Sequence, residues 1–348
     1  MSAFSERMNH IKKETFVAMG ISVGIRLRLF DAMAEMDRPV TATELATKTT
    51  CKERYIQQWL GFMACSDIIN FEEDDSGEEK FSIPNDRLPH LSTDTGDSNA
   101  MWMYGLPILT GVQCQLESCF QKEGPNGIPH ESYGGFNEFL DLYGRYGYAE
   151  KLIENTLMEV PDVAKQLEQG ILMCEIGCGT GFLLQTMAKK YPRSQFLGLD
   201  IAARAIDSAN KEARENGIKN VQFEVHDAHK LPSDWTEKYN YVFLTDVIHD
   251  VPDPTKVLQE IKRVLKPAGT ASIQDFPLRR RVADNLKSPS ANTGYLVGMF
   301  YCIPACMNYG GPGYGPAWGV ENWVEVMKDA GFNVKLCMEN SAHFVCSK

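Results

Sequence analysis

The sequence predicts an α/β protein in two parts: an α-helical N-terminal domain closed by a charged hairpin, then a doubly wound parallel sheet. Three observations carry that prediction. Helical periodicity recurs from residue 10 and gives way to a hairpin by about residue 90, whereas from 171 onward short β-branched runs alternate with helical ones. At the head of the second pattern, Glu175-Ile176-Gly177-Cys178-Gly179-Thr180-Gly181 places an acid and alternating glycines between a strand and a helix. The 348 residues are comfortable for two domains, and 43% apolar with 23% charged residues excludes a disordered, collagen-like or fibrous chain.

In the first domain, assigned to residues 1–90, Ile25, Leu29, Phe30 and Met33 recur at helical spacing. Thr41-x-x-Glu44 and Thr50-x-x-Glu53 read as capping boxes that open two further helices, the second burying Ile56, Trp59, Leu60 and Met63. Ile68 to Phe71 and Lys80 to Ile83 then read as two strands around an acidic turn, which completes a winged-helix outline. A DNA-reading winged helix needs basic side chains, because phosphate contacts supply most of the affinity. Here the wing carries Glu72, Glu73, Asp74, Asp75, Glu78 and Glu79, and the whole chain has a formal charge of −11. We expect no nucleic-acid partner, and a homodimer formed through this domain beside Ile21, Val23, Ile25 and Leu27.

Residues 91–168 read as a linking helical and aromatic segment. Phe136, Tyr143 and Tyr146 are its candidate substrate-binding residues, since ligand pockets favour domain interfaces. The second domain, 169–348, follows with strands at 171–176, 196–199, 221–225, 241–245 and 270–274. Helices are expected at 183–190, from 203 to Asn216-Gly217, and from Asp253-Pro254 to Pro267. A helix near 320–330 and strands at 333–338 and 342–347 end the chain. The stretch 276–319 reads as a long loop, and loops of that length inside a compact domain tend to be functional. Met299, Asn308, Tyr309 and Trp318 are its candidate substrate contacts.

Glycines at a strand-to-helix turn let a ligand approach the backbone closely. The dinucleotide fingerprint would need a third glycine at Phe182, and a phosphate-gripping loop would need Gly-Lys-Ser/Thr, so neither fits. Asp200, at the end of the second strand, is placed to accept the hydroxyls of a ribose. Asp227, with Ala228 beside it, follows the third strand and is a candidate partner for an adenine amino group. His249 follows the fourth strand, where an imidazole with a pKa near 6.5 suits proton removal; Asp250 and Asp275 are candidates to orient it, Asp275 the better placed because adjacent residues seldom face each other.

These motifs together resemble class I S-adenosylmethionine-dependent methyltransferases over nearly all of residues 171–348. Glu175 to Gly181 is similar to their first motif, Asp200 to the acid after it, Asp227 to the adenine-side motif, and Asp246-Val247-Ile248-His249-Asp250 to the fourth-strand region. With the N-terminal domain, the chain resembles winged-helix-fused small-molecule methyltransferases, one branch of which shares Asp284-Asn285-Leu286 and the glycines from Gly310 to Gly315. The resemblance implies a Rossmann-like methyltransferase sheet and S-adenosylmethionine as cofactor. It implies cofactor contacts at Glu175, Gly177, Cys178, Gly179, Thr180, Gly181, Asp200, Ile201, Asp227, Ala228 and Asp246, with Glu175 and the loop N–H groups holding the amino-acid tail. It also implies methyl transfer to the O or N atom of a small acceptor by in-line displacement, with His249 as base. A regulator that senses S-adenosylmethionine or a metabolite, and a nicotinamide dehydrogenase, are the competing classes; the acidic wing and Phe182 respectively weigh against them.

The ten cysteines are scattered and show no finger-like spacing, so no metal is expected. Charged residues break the first thirty positions where a signal peptide needs an apolar run. No stretch is apolar enough to span a membrane, and a reduced, cytoplasmic setting follows as the expectation.

Overall fold

A computed structural model describes residues 2–95, 97–145, 149–338 and 341–348. The chain forms two compact units, one of residues 1–110 and 138–148, the other of 111–137 and 149–348, so the segment 91–168 is shared between them.

The first unit opens with α1 (Ala3–Arg26), α2 (Leu29–Met36), α3 (Ala42–Thr49) and α4 (Glu53–Cys65), followed by the hairpin β1 (Asn70–Glu73) and β2 (Glu79–Ser82). The first periodic run is in fact two helices, because Arg28 takes a φ of 54° and breaks the chain between Ile25 and Leu29. Thr41 and Glu44 make the expected reciprocal capping box. Thr50 does not: it ends α3 in the left-handed region, its N–H donating back to Ala46 and Thr47, and α4 begins after Lys52 without a side-chain cap. Phe30 and Trp59 pack edge to face at 5.0 Å in the core of this unit, and the Trp59 indole donates to the Gly20 carbonyl. Val40 bridges Phe81 through two backbone hydrogen bonds and ties the wing to the helices. Further along come α5 (Ser98–Thr110), α6 (Gln113–Cys119) and α7 (Phe136–Tyr143). In this unit Trp102 packs on Phe139 and Tyr143.

The second unit continues with α8 (Ala149–Glu159), α9 (Pro161–Gln169), β3 (Leu172–Ile176), α10 (Phe182–Lys190), β4 (Gln195–Asp200), α11 (Ala203–Glu215), β5 (Val221–Val225) and β6 (Tyr239–Thr245). After these come α12 (Pro254–Val264), β7 (Leu265–Asp275), α13 (Val282–Asn285), α14 (Ala291–Val297), a π-helical turn (Gly298–Cys302), α15 (Ile303–Asn308), α16 (Val320–Asp329), β8 (Asn333–Cys337) and β9 (Ala342–Ser347). The seven strands order as β5-β4-β3-β6-β7-β9-β8, with the first five parallel and β9 antiparallel to both neighbours. Two differences from the sequence reading stand out. Pro267 lies inside β7, in an irregular stretch between the pairings Tyr239 to Leu265 and Tyr241 to Thr270, so it ends no helix. The expected loop at 276–319 is a series of short helices, whose interleaved glycines and aromatics obscure any single helical period.

Side chains alternate across each strand. Cys174, Ile176, Leu197, Leu199, Val242, Leu244, Ala271 and Ile273 face Val257, Leu258 and Ile261 of α12 and Val320 and Trp323 of α16 in one apolar core. The opposite face is unusually polar. It presents Glu175, Ser272, Gln274 and His343, all buried, with Gln274 donating to Thr156 of α8.

Candidate active site

Because β3, β4, β5, β6 and β7 are parallel neighbours, their carboxyl ends lie along one edge, and the chain order reverses between β3 and β6. Ligands of open α/β sheets bind at such a switch point. The structure brings to this edge Glu175, the loop Gly177 to Gly181, Asp200 and Ile201, Asp227 and Ala228, Asp246, His249 and Asp250, and Asp275.

The loop between β3 and α10 turns sharply. A Cβ on Gly177 (φ 74°) would meet Val247 at 2.3 Å, whereas over Gly179 (φ 53°) there is open space. Backbone can therefore be approached closely at Gly179. The loop donors are another matter. Gly177 and Cys178 both donate to the Leu199 carbonyl, Gly181 to Cys178, and Gly179 to Asp200 Oδ2 at 2.8 Å. These four N–H groups are engaged within the turn itself.

The carboxylates are better disposed. Asp200 is fixed by the N–H groups of Gly179 and Ala202, each at 2.8 Å to a different oxygen, leaving each oxygen a further lone pair to offer. Glu175 is 3% exposed, and its Oε2 has no hydrogen-bond partner. Burial, seconded by the Asp200 charge, pushes its carboxyl up to about 8. A buried carboxyl with an unpartnered oxygen calls for a cation or a donor. Both features, the open space over Gly179 and the orphaned Glu175 oxygen, fit a nucleoside carrying a cationic tail. Cys178 is buried and Ile201 is 74% exposed; Ala228 packs on the core. Asp227 Oδ1 already accepts from the His229 N–H and ring. Asp246 is exposed and holds a left-handed φ of 53°, a strained setting for a non-glycine residue at the tip of β6.

His249 is 2% exposed. Its Nδ1 lies 2.9 Å from both oxygens of Asp275, at the end of β7, so that carboxylate fixes the ring. Asp250 also faces the ring, with Oδ1 at 3.3 Å from Nε2, contrary to the expectation that a sequence neighbour would turn away. Burial opposes the imidazolium, but the Asp275 and Asp250 charges outweigh it and raise the His249 pKa well above 6.5, so the value near histidine's own is corrected upward.

Of the expected substrate contacts, Phe136 stacks on Tyr301 with ring centroids 3.8 Å apart. The Tyr301 hydroxyl meets His130 Nδ1 at 3.1 Å, and His130 packs against Tyr309. Met299 borders a cavity with Tyr295, Leu296 and Ile303. Asn308 and Tyr309 are exposed, while Trp318 is half-buried against the core, stacked on Tyr314 and edge to face with Trp323. Tyr143 belongs to the first unit, and Tyr146 lies outside the described residues. Sequence reasoning missed His130 and Tyr133, and set Cys302 aside because no finger-like Cys or His pair accompanies it. Tyr133 donates to the Phe300 carbonyl, and Cys302 shares a cluster with His249 and Asp250. No periodic signal links positions so far apart in the chain.

Residues 167–331 match the family model described as a methyltransferase domain, and residues 15–92 the one described as an Rv2258c-like winged HTH domain. Among curated proteins, the chain is 31% identical over 100 residues to a ubiquinone biosynthesis O-methyltransferase of Leptothrix cholodnii, covering 29% of this chain and 42% of that protein. The chain spans about half or less of the length of the curated relatives it matches. Its fold is shared with a solved putative O-methyltransferase of Nostoc punctiforme PCC 73102 (TM-score 0.71, 18% identity, all of both chains). It is shared also with human N-acetylserotonin methyltransferase solved in complex with SAM (TM-score 0.67, 17% identity, 100% and 98% of the two chains).

Proposed function

We propose that the chain, whose residues 167–331 match a methyltransferase domain and 15–92 a winged HTH domain, is an S-adenosylmethionine-dependent methyltransferase that transfers a methyl group to the oxygen of a small acceptor. The observation that carries the proposal is the pairing of a buried, half-satisfied Glu175 with a preset Asp200 beside a loop that is open over Gly179. When bound, S-adenosylmethionine supplies an electrophilic methyl on a sulfonium. Glu175 receives its α-ammonium, Asp200 its ribose hydroxyls, and Ile201 and Ala228 flank the adenine, with Asp227 and its free oxygen near the amino group. Gly177, Gly179 and Gly181 keep the turn narrow, with Cys178 and Thr180 between them, and Asp246 closes the edge at β6.

The neutral form of His249, populated as pH rises through its raised pKa, accepts the acceptor's hydroxyl proton at Nε2, while Asp275 holds the ring and stabilises the imidazolium formed. Asp250 lies beside the same nitrogen and adds to that stabilisation. A phenol or catechol needs this base, since its proton must leave as the methyl arrives. Phe136, Tyr301, Met299, Asn308 and Tyr309 form the acceptor's wall in the second unit, aromatic faces suiting a planar substrate.

A homodimer through the first unit is part of the same proposal. Its support is the exposed apolar stripe on α1, which includes Phe16 (53%), Met19 (56%) and Val23 (47%). The acidic wing, where Lys80 and its neighbours hold Asp74 well below the usual carboxylate range, argues against a duplex. Among the described residues no helix is long and apolar enough to cross a membrane. Ten free cysteines suit the reducing cytoplasm, where we place the protein.

The test is a radiolabelled methyl-transfer screen over phenols, catechols and amines, run with calorimetric titration of S-adenosylhomocysteine into the parent and Asp200→Ala. We expect transfer to hydroxyl acceptors and a roughly 10- to 100-fold weaker Kd in the variant. Equal binding by both proteins would remove Asp200 from the cofactor site.

A further inference from the structure

We propose that His249, Asp250 and Cys302 form a binding site for a divalent transition-metal ion of the zinc type. The donor atoms of the three side chains all lie within 4.8 Å of one another. His249 Nε2 and Asp250 Oδ1 are 3.3 Å apart. Two ligands held about 2.0 Å from a zinc ion at a tetrahedral angle are separated by about 3.3 Å, so this pair is already spaced for metal. A thiolate at about 2.3 Å from the same ion sits about 3.5 Å from each of them, so Cys302, within 4.8 Å of both, has to close a gap of no more than about 1.3 Å.

Two further observations point the same way. Metal-bound histidines nearly always give their other ring nitrogen to a carboxylate, which fixes the ring and aims the lone pair. Asp275 does this to Nδ1 with both oxygens at 2.9 Å, leaving Nε2 directed at Asp250. Asp250 Oδ1 is itself shielded from solvent and faces His249 Nε2, a contact that a shared metal ion would bridge. One carboxylate and one thiolate balance a 2+ ion, and a nitrogen, an oxygen and a sulfur donor together favour zinc over magnesium or calcium. Three protein ligands leave a fourth position for water or for the heteroatom of a small molecule.

The consequence for the active site is competition. Metal at this position occupies the Nε2 lone pair that the proposed base needs, so the occupied protein is inhibited toward hydroxyl acceptors. Binding itself does not depend on the methyl-transfer reading and is measured without acceptor or cofactor.

The experiment titrates Co²⁺ into the full chain after chelator treatment, following the visible bands of tetrahedral cobalt and the near-ultraviolet thiolate-to-cobalt band. We expect saturation at one equivalent, displacement by Zn²⁺, and loss of the thiolate band with about tenfold or greater weakening in Cys302→Ser. Asp250→Asn serves as a second variant with the same expected weakening, and circular dichroism checks the fold of each. Absence of saturable binding to the parent overturns the proposal whatever the variants do, as does parent-like binding in a folded Cys302→Ser or Asp250→Asn.

Discussion

Glu175→Gln separates the cost of a buried carboxyl from its use. The Glu175 pKa stands at about 8 against an ordinary 4.5, and each unit is worth about 1.4 kcal/mol. Because the folded chain binds more protons than the unfolded chain between those two values, this group's contribution to stability falls as pH rises through that window. It is neutral to stability below about pH 4.5, costs about 3 kcal/mol at pH 7 and reaches about 5 kcal/mol above pH 8. The amide removes that dependence but leaves an N–H without a partner, worth about 1 kcal/mol. The ligand-free variant should thus be about 2 kcal/mol more stable than the parent at pH 7 and somewhat less stable below pH 4.5. With S-adenosylhomocysteine the order reverses, since the parent gains a charge-assisted bond to the ammonium and releases close to one proton on binding. Urea unfolding across the pH range gives the first quantity, and calorimetry in buffers of differing ionisation enthalpy the second. Parallel pH profiles for the two proteins, or binding heats that ignore the buffer, would refute the reasoning.

Three further outcomes are expected. His249→Ala in chelator-treated protein should slow kcat for a hydroxyl acceptor by about 100- to 10,000-fold with cofactor Kd unchanged, and full activity there would reject the base. Asp275→Asn should lower kcat by a smaller factor, measured in the same assay. Met19→Glu on the exposed face of α1 should shift sedimentation from dimer to monomer while leaving the thermal transition of each protomer in place. His343, buried against Ser272 Oγ at 2.8 Å, has its pKa pushed down to about 4 by burial. Its contribution is therefore full above about pH 6.5 and lost as pH falls to about 4, close to 3 kcal/mol in all; unfolding curves of His343→Phe should lack that acid limb.

Much of the second domain was legible because its strands are short apolar runs alternating with helical ones, and because acids at or just beyond the strand ends mark the edge. Glu175, Asp200 and His249 could be placed from chain order alone, since parallel strands must end together. What escaped was decided by tertiary packing. Thr50 and Glu53 have the spacing of a capping box, yet the left-handed turn at Thr50 puts them in different helices' ends. Trp318 has the composition of a pocket wall, but Tyr314 and Trp323 offer it a closer stack. Tyr301 and Cys302 meet partners more than fifty residues away, where no local pattern reaches.

The π-helical turn from Gly298 to Cys302 has an evolutionary consequence. A turn of this kind holds one residue more than the α-helix it interrupts. Deleting a single residue there would let the helix run on regularly and leave α15 in its present place, while the side chains within 298–302 shift around the axis. Tyr301 and Cys302 would exchange their present neighbours for new ones without any substitution. Insertions and deletions at this point, more than point mutations, are therefore the cheap route by which descendants of this chain could remodel what its active site accepts, and a library of one-residue deletions across 298–302 would sample that route directly.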